Sequence, residues 1–265
     1  EVCIKNMQTY QNEVKAKKRL GQHFLTDQGI AKQIVDSLTS NTRTIVEVGS
    51  GTGVLTQYLL ELKDKEIHLI EIDEESIAFL QKRFPFLGNR LYSMDFLKAD
   101  LHTITLEPFA LIGNFPYNIS NQILFKVLDY KDQIPEVVGM FQKEVAMRIA
   151  SKPGKKDYGI LSVLLQAFYE IEYLFTVDEH VFNPPPKVKS GVIRLKRNDC
   201  KTLSCNEKDF KTVVKTAFNQ RRKTLRNSLK SLTFQEGFTA QSIFDKRPEQ
   251  LSVDEFVILT NGLIK

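Results

Sequence analysis

Three glycines follow a short apolar run in the stretch "VEVGSGTG", at Gly49, Gly51 and Gly53. Glycine lets the backbone turn tightly and approach a ligand closely, so the pattern predicts a ligand-binding turn between a buried strand and a helix. The spacing is G-x-G-x-G, whereas a bound pyrophosphate suits G-x-G-x-x-G. The turn therefore favours a ligand without phosphates, although an ordinary tight connection would use the same residues.

Acidic residues at the ends of the next two predicted strands narrow the choice of ligand. Glu71 ends "LIE", where a carboxylate can accept hydrogen bonds from both hydroxyls of a ribose. Asp95 can accept from the amino group of an adenine, and the ring of Phe96 can cover that base. Because parallel strands end at one edge of a sheet, these groups predict an adenosine site. S-adenosylmethionine (SAM), an adenosine ligand without phosphates, is the expected cofactor.

The stretch "LIGNFPYNIS" places Asn114, Phe115, Pro116 and Tyr117 after a fourth apolar run, at the same predicted edge. The lone pair of an adenine amine is delocalised into its ring, so methylating it requires orientation of the amine. The Asn114 side-chain oxygen and a backbone carbonyl fixed by Pro116 can accept its two N–H bonds, and Tyr117 can stack on the base. The motif predicts methyl transfer to an aromatic amine without a strong general base. An ordinary turn with buried aromatic residues is the alternative.

A second aromatic residue, Phe182, comes just before the prolines of "VFNPPPKVKSGVIRL". Pro184, Pro185 and Pro186 should stiffen this segment and hold Phe182 in a rigid loop. A ring fixed opposite Tyr117 would clamp an extruded base from its other side. A rigid connection without a binding role is the alternative.

Strand and helix patterns alternate along most of the chain. Five apolar runs are typical of buried strands: "TIVEVG", "EIHLIEID", "RLYSMDF", "FALIGNF" and "EVVGMFQ". Helical apolar spacing occurs in "VLTQYLLEL", "EESIAFLQKRF", "NQILFKVLDY" and "ILSVLLQAFYEIEYLF". This alternation predicts an α/β, Rossmann-like domain with a parallel sheet covered on both faces.

The pattern changes after the apolar run "SGVIRLKR". Strand signals stop there, and "NEKDFKTVVKTAFNQRRKTLRNSLKSL" has helical spacing with many basic residues. We therefore expect a SAM-dependent methyltransferase domain at residues 15–198 and a small all-helical, RNA-binding domain at residues 199–265. Residues 1–14 precede any pattern and are expected to be a flexible extension.

The composition is that of a soluble globular protein, with 42% hydrophobic and 26% charged residues. No apolar run could span a bilayer and the first residues lack the apolar centre of a signal peptide, so we expect a cytoplasmic protein without membrane contact. The cysteines, Cys3, Cys200 and Cys205, have neither metal-ligand spacing nor an even number. We expect free thiols and no metal.

Basic residues are clustered, although the net charge is only +5. No acidic residue occurs between Lys211 and Lys230, and a second basic cluster lies near the start of the chain. A cluster of one sign matches the footprint of a phosphate backbone, whereas a solvated surface is the alternative. The residues predicted to bind RNA are Lys17, Lys18, Arg19, Arg221, Arg222, Lys223 and Arg226.

Six motifs, in the same order, resemble the dimethyladenosine transferase family, the small-subunit rRNA adenine N6,N6-dimethyltransferases. They are "KKRLGQHFL", "VEVGSGTGVLT", "EID", "GNFPYNIS", "FNPPPKVKSGVIRL" and "FNQRRKTLRNSL". The resemblance implies a SAM-dependent enzyme that dimethylates two adjacent adenosines near the 3' end of 16S rRNA during assembly of the small ribosomal subunit. We expect it to act as a monomer.

The resemblance also implies the residues of the site. The reaction would involve Asn114 to Tyr117 together with Phe182. Glu47 would order the glycine turn or bind the amino group of SAM, and the family usually has Leu or Ile where this chain has Phe115. The cofactor-binding residues implied are His23, Leu25, Glu47, Gly49, Gly51, Glu71, Ile72, Asp95, Phe96 and Asn114.

Three other functions remain open from the sequence. Within the same fold, an Erm-type methyltransferase would modify large-subunit rRNA instead. A non-catalytic RNA-binding assembly factor could keep the fold, although the complete Asn114–Tyr117 motif counts against it. An NAD-dependent oxidoreductase fits poorly, because the glycine spacing is wrong and no catalytic acid is evident.

Overall fold

The computed structural model describes residues 14–264, so the predicted N-terminal extension lies outside the described residues except for Val14. The contacts between residues divide the chain into two compact units. The first comprises Glu1–Ala146 with Glu172–Lys196, and the second comprises Met147–Ile171 with Arg197–Lys265. The sequence-based boundary at residue 198 had placed Met147–Ile171 with the methyltransferase domain. That segment groups with the C-terminal residues because its helix packs against theirs.

A seven-stranded sheet has the order β4-β3-β2-β5-β6-β9-β7. Strands β4, β3, β2, β5 and β6 run parallel, and β9 pairs antiparallel with β6. A separate two-stranded sheet joins β1 and β8. The strands are β1 Phe24–Leu25, β2 Thr44–Val48, β3 Glu66–Glu71, β4 Leu91–Ser93, β5 Phe109–Asn114, β6 Glu136–Gln142, β7 Tyr169–Val177, β8 Phe182–Asn183 and β9 Ser190–Arg197. The predicted α/β sheet is confirmed.

Short helices connect these strands. The α-helices are α1 Gln28–Asp36, α2 Thr56–Leu59, α3 Glu74–Arg83, α4 Ser120–Asp129, α5 Lys143–Ala150, α6 Ile160–Gln166, α7 Glu207–Asn219, α8 Leu225–Ser228 and α9 Val253–Asn261. The 3-10 turns are Lys18–Leu20, Pro85–Arg90, Leu101–Thr103, Glu179–Val181, Phe238–Ala240, Ser242–Asp245 and Pro248–Gln250. Asp27 and Asp73 cap α1 and α3, since each side chain accepts a backbone N–H of the first turn.

The helix predicted over "ILSVLLQAFYEIEYLF" is wrong in its second half. Helix α6 ends at Gln166, and β7 begins at Tyr169 as an outer strand of the sheet. Glu170 and Glu172 alternate with apolar neighbours here, which is the period of a strand with one face towards solvent. The change from helical to strand period was missed because the apolar residues of α6 run directly into those of β7.

The helical spacing predicted over residues 206–232 is interrupted in the structure. Helix α7 ends at Asn219, and α8 begins only at Leu225. The apolar face of α7 is buried as far as Ala217, whereas residues 219–224 contain no apolar side chain that a continued helix could bury. Arg221, Arg222 and Lys223 therefore lie in a connecting turn.

Within residues 14–264, no helix is both long and apolar enough to cross a membrane. Over the same residues, His, Cys, Asp and Glu side chains form no group of three that could hold a metal ion. Cys200 and Cys205 are free thiols, while Cys3 falls outside the described part of the chain.

Candidate active site

A cavity of about 270 Å³ opens at the carboxyl ends of β2, β3, β4 and β5. All of its lining residues belong to the first unit. The predicted site residues that line it are His23, Gly49, Gly51, Glu71, Ile72, Asp95, Phe96, Asn114, Phe115, Pro116 and Tyr117. Residues from four strand ends therefore meet at one cavity, as expected for a parallel sheet.

The glycine turn is held by Glu71. Gly49 and Gly51 have φ of 72° and 53°, a left-handed conformation that favours glycine. A Cβ on Gly51 would lie 2.9 Å from the ring of Phe24, so this position has no room for a side chain. The backbone N–H of Gly51 donates to Oε2 of Glu71 at 2.8 Å, which joins the turn to the end of the neighbouring strand.

Glu71 is positioned before any ligand binds. Its Oε1 accepts from the backbone N–H groups of Ile72 and Asp73, at 2.8 and 2.9 Å. Burial raises the pKa of its carboxyl, and the three backbone donors oppose that rise. Oε1 has both lone pairs occupied, whereas Oε2, which accepts from Gly51 alone, keeps a lone pair for a ribose hydroxyl.

Glu47 does not line the cavity. Its side chain is buried beneath the glycine turn, where Oε2 accepts a hydrogen bond of 2.6 Å from the hydroxyl of Thr56 at the start of α2. Burial raises the pKa of Glu47 to about 8, the Thr56 hydrogen bond opposes the rise, and the nearby charge of Glu71 adds to it. Glu47 therefore contacts the start of α2 and does not line the cavity, and its predicted role in ordering the turn stays a prediction.

The other end of the cavity has the features of an adenine site. Ile72 is 50% exposed and lines the cavity, which leaves a large apolar surface for a planar base. Asp95 shapes its own turn, because its Oδ1 accepts the N–H of Leu97 at 2.9 Å. Phe96 also lines the cavity, with its ring almost wholly buried.

The amide of Asn114, the last residue of β5, is oriented by its neighbours. Its Nδ2 donates to the backbone carbonyl of His23 at 2.9 Å, and a carbonyl can only accept. Within residues 14–264, no donor to Asn114 Oδ1 is present, so this oxygen can accept an N–H from a substrate amine. The role predicted for Asn114 towards an adenine amino group stays a prediction.

Tyr117 and His23 face each other across this part of the cavity. Their rings are stacked, with centroids 5.6 Å apart and planes inclined by 28°. The Tyr117 hydroxyl lies 2.5 Å from Ser190 Oγ, and burial raises its pKa. His23 Nδ1 lies 2.8 Å from the carbonyl oxygen of Pro184, which requires Nδ1 to carry the hydrogen. His23 thus connects three segments around the cavity.

Phe115 is wholly buried, and two glycines make room for it. A Cβ on Gly139 would lie 2.2 Å from the Phe115 ring, and one on Gly113 would lie 2.8 Å from it. The backbone N–H of Phe115 donates to Met140 at 3.2 Å, and its ring lies 5.1 Å from that of Phe141. The larger side chain at this motif position is therefore accommodated by packing against β6.

Phe182 and Leu25 lie elsewhere than expected. They pair with each other across the β1–β8 sheet, and both belong to the apolar core, with exposures of 4% and 3%. Neither lines the cavity. Phe182, predicted to lie in a rigid loop, lies in the short strand β8. Its ring is buried because it packs within the apolar core. In this conformation Phe182 cannot clamp a base against Tyr117.

The segment Arg19–Phe24 contributes more to the cavity than the sequence suggested, since Leu20, Gly21, Gln22 and Phe24 all line it. Gly21 has φ of 64°, and a Cβ there would lie 2.6 Å from the side-chain oxygen of Asn118. This glycine in "RLGQHF" was the signal that could have identified the close approach.

The basic residues near the start of the chain differ in their surroundings. Lys17 forms ion pairs with Asp73 and, at 3.2 Å, with Glu75, so its charge is already matched. Arg19 is exposed and lines the cavity. Lys18 is exposed in the same 3-10 turn.

In the second unit, Arg221, Arg222 and Lys223 line a cleft at the turn after α7. Arg221 donates to the carbonyl of Lys156, whereas Arg222 and Lys223 are exposed. Arg226 forms an ion pair of 2.8 Å with Asp245. Arg222 and Lys223 therefore place two exposed positive charges in the turn.

Comparison with known proteins gives a consistent result. A family model described as ribosomal RNA adenine dimethylase matches residues 13–261. The ribosomal RNA small subunit methyltransferase A of Cytophaga hutchinsonii is 63% identical over 253 residues, covering 95% of this chain and 98% of that protein. The crystal structure of a dimethyladenosine transferase from Plasmodium falciparum has a TM-score of 0.76 at 26% identity, covering 89% of this chain and 96% of that one. The 23S rRNA methyltransferase ErmE shares the fold, with a TM-score of 0.67 at 24% identity, covering 90% of this chain and 99% of ErmE.

The packing of Phe115 against Gly139 predicts a coupled pair. Gly139→Ala should reduce the free energy of unfolding by about 1–3 kcal/mol, because its new methyl group overlaps the Phe115 ring. Phe115→Leu should lose about 1 kcal/mol through lost packing, and in that background Gly139→Ala should cost much less. Urea unfolding of both single variants and the double variant measures the coupling. Additive losses would contradict the proposed contact.

The buried carboxyl of Glu47 predicts a pH dependence of stability. Its folded pKa of about 8 lies above the ordinary value of 4.5, so protonation stabilises the fold fully below pH 4.5, and this contribution is lost as the pH rises through 8. Relative to Glu47→Gln, the native protein should lose on the order of 3 kcal/mol between pH 5 and pH 8. Urea unfolding across this range is the measurement, with exposed Glu61→Gln as the control. Parallel pH profiles for the native protein and Glu47→Gln would refute the assignment.

Proposed function

This chain belongs to the ribosomal RNA adenine dimethylase family, and from that premise we propose that it dimethylates 16S rRNA in the small ribosomal subunit. It is a SAM-dependent rRNA adenine N6-dimethyltransferase. The proposed targets are the exocyclic amines of two adjacent adenosines near the 3' end of that RNA, methylated during ribosome assembly. The observation that carries the proposal is the oriented amide of Asn114, whose free oxygen lies at the same cavity as the cofactor residues.

The residues around the cavity fit SAM. The half-exposed side chain of Ile72 offers apolar surface for an adenine, and Oε2 of Glu71 offers a lone pair for a ribose hydroxyl. Asp95 is the acceptor for the adenine amino group. When bound, SAM supplies a methyl group that is electrophilic because it is attached to a positively charged sulfur.

The chain's part in the transfer is orientation. Asn114 Oδ1 and a backbone carbonyl of the Phe115–Pro116 segment accept the two N–H bonds of the target amine, which turns the nitrogen lone pair towards the methyl group. Tyr117 supplies a stacking face for the base. Bound SAM would supply the methyl carbon, which would exchange its bond to sulfur for one to the amine nitrogen, and the amine would then release a proton to water. No side chain in Asn114–Tyr117 needs to act as a strong base.

The second unit is proposed to hold the RNA. The exposed cations of its turn, Arg222 and Lys223, can contact phosphates without reading sequence, and the cavity then selects the base. Lys18 and Arg19 provide a second contact near the cavity mouth. We also propose action as a monomer in the cytoplasm, where bacterial ribosomes are assembled.

The main alternative is modification of large-subunit RNA. The 63% identical relative is named a small subunit methyltransferase, whereas ErmE at 24% identity supports a common fold alone. Incubation with labelled SAM and either immature small subunits or large subunits, followed by mapping of the modified bases, separates the two. Dimethyladenosine near the 3' end of 16S rRNA supports the proposal, and label confined to large-subunit RNA refutes it.

The role of Asn114 predicts a selective loss of turnover. Asn114→Ala should lower kcat about a hundredfold, because the amine loses an acceptor that is needed in the transition state. SAM should still bind measurably, since Glu71 and Asp95 are unchanged. Single-turnover assays on immature small subunits and calorimetry with SAM provide the two readouts, with exposed Asn89→Ala as the control. Unchanged turnover in Asn114→Ala would exclude this role.

The exposed turn predicts a salt-dependent RNA interaction. Changing Arg222 and Lys223 to Glu should weaken binding to the small subunit and flatten its salt dependence by about two phosphate contacts, without changing SAM affinity. The same charge reversal at exposed Lys201 and Lys208, in the same unit, is the matched control. Binding isotherms over a range of salt concentrations test this. Equal losses in the two double variants would assign the effect to overall charge.

A further inference from the structure

Lys126, in the C-terminal half of α4, contacts the loop of residues 95–101, which carries the predicted adenine ligands Asp95 and Phe96. Its ammonium donates to the carbonyl oxygen of Leu97 at 3.1 Å and to that of Ala99. The same ammonium lies 5.4 Å from the centroid of the Phe96 ring. The Lys126 side chain therefore contacts the Phe96 ring and the carbonyls of Leu97 and Ala99.

The hydrogen bonds within the loop leave the carbonyls of Leu97 and Ala99 to Lys126. Lys98 and Ala99 donate their N–H groups to the carbonyl of Asp95, each at 3.0 Å, and Leu97 donates to the Asp95 side chain. These bonds close the turn around Asp95. The carbonyls of Leu97 and Ala99 are satisfied by Lys126.

Tyr130, the residue directly after α4, strengthens this attachment. It is four residues after Lys126, and its backbone N–H donates to the Lys126 carbonyl at 3.1 Å. Its hydroxyl donates to Asp100 at 3.2 Å and accepts from the N–H of Leu101 at 3.4 Å. Lys126 and Tyr130 thus hold the loop from residue 96 to residue 101.

The environment of the Lys126 ammonium indicates a fixed position. Burial lowers its pKa, and the charges of Asp100, Asp95 and Asp129 oppose that change. A partly desolvated ammonium is stabilised where carbonyl oxygens and an aromatic face replace its water. A freely moving surface lysine has no such set of partners.

We propose that Lys126 is a positioning residue for cofactor recognition, which holds Asp95 and Phe96 where they can select an adenine. The inference rests on the proposed function, since it places the adenine of SAM between Ile72 and Asp95. Lys126 itself does not line the cavity, so it acts through the loop. It should therefore affect both the affinity for the adenosine part of the cofactor and the preference for adenine over other bases.

Calorimetry with two probes tests the proposal. S-adenosylhomocysteine carries an adenine amino group, whereas its deaminated analogue S-inosylhomocysteine carries an oxygen at that position and cannot donate to Asp95. In Lys126→Met, the Kd for S-adenosylhomocysteine should rise about tenfold while that for the inosine analogue changes little. The KM for SAM should rise with kcat at saturating SAM unchanged. Lys63→Met removes a charge from an exposed side chain of the same unit, and should change neither.

The outcomes distinguish failure of the proposed Lys126 role from failure of the proposed function. If Lys126→Met keeps the native affinity and preference, or weakens both ligands equally, the positioning role is wrong. If the native protein binds no S-adenosylhomocysteine, the proposed function fails instead. Thermal unfolding reports whether the variant is folded, and Lys126→Gln, which retains an N–H donor, replaces it if it is not.

Discussion

The cofactor half of the site depends on one buried carboxylate. Glu71 ends β3 and joins the glycine turn to the chain that leaves that strand, through the backbone N–H groups of Gly51, Ile72 and Asp73. A carboxylate that is 4% exposed would be costly without these donors. The protein therefore meets the cost of burying it before a ligand arrives, and a ribose would find its acceptor already oriented. Glu47, buried beneath the same turn, accepts a hydrogen bond from Thr56.

The reactive half is organised by the segment that crosses it. The carbonyl of His23 fixes the Asn114 amide, while the His23 ring stacks on Tyr117 and binds the Pro184 carbonyl. The Lys17–Asp73 ion pair attaches the start of this segment beside the cofactor half. A single stretch of chain thus contacts both the residues proposed for SAM and those proposed for the base. Positioning of the two reactants depends on a common element.

The sequence predicted the parts of the site that follow from topology. Glu71 ends β3 and Asp95 follows β4 by two residues, so their meeting at one edge follows from the strand order. Burial could not be read in the same way. Phe182 is a core residue because tertiary neighbours enclose it, and the turn around Arg222 breaks a run with helical spacing because no apolar residue continues it. Lys126 was not identified, since its role depends on a loop about thirty residues earlier in the chain.

Phe115 shows how this chain accommodates a departure from its family motif. A ring at this position needs more volume than Leu or Ile, and the cavity is one place where that volume could have been taken. The space for the ring is provided by β6, because Gly139 has no side chain there and Phe141 packs beside the ring. The backbone of Phe115 remains bonded to Met140, so the carbonyl segment before Pro116 keeps its attachment to the sheet. The Phe115 ring packs against β6, and Asn114, which we propose as an acceptor for the target amine, lines the cavity.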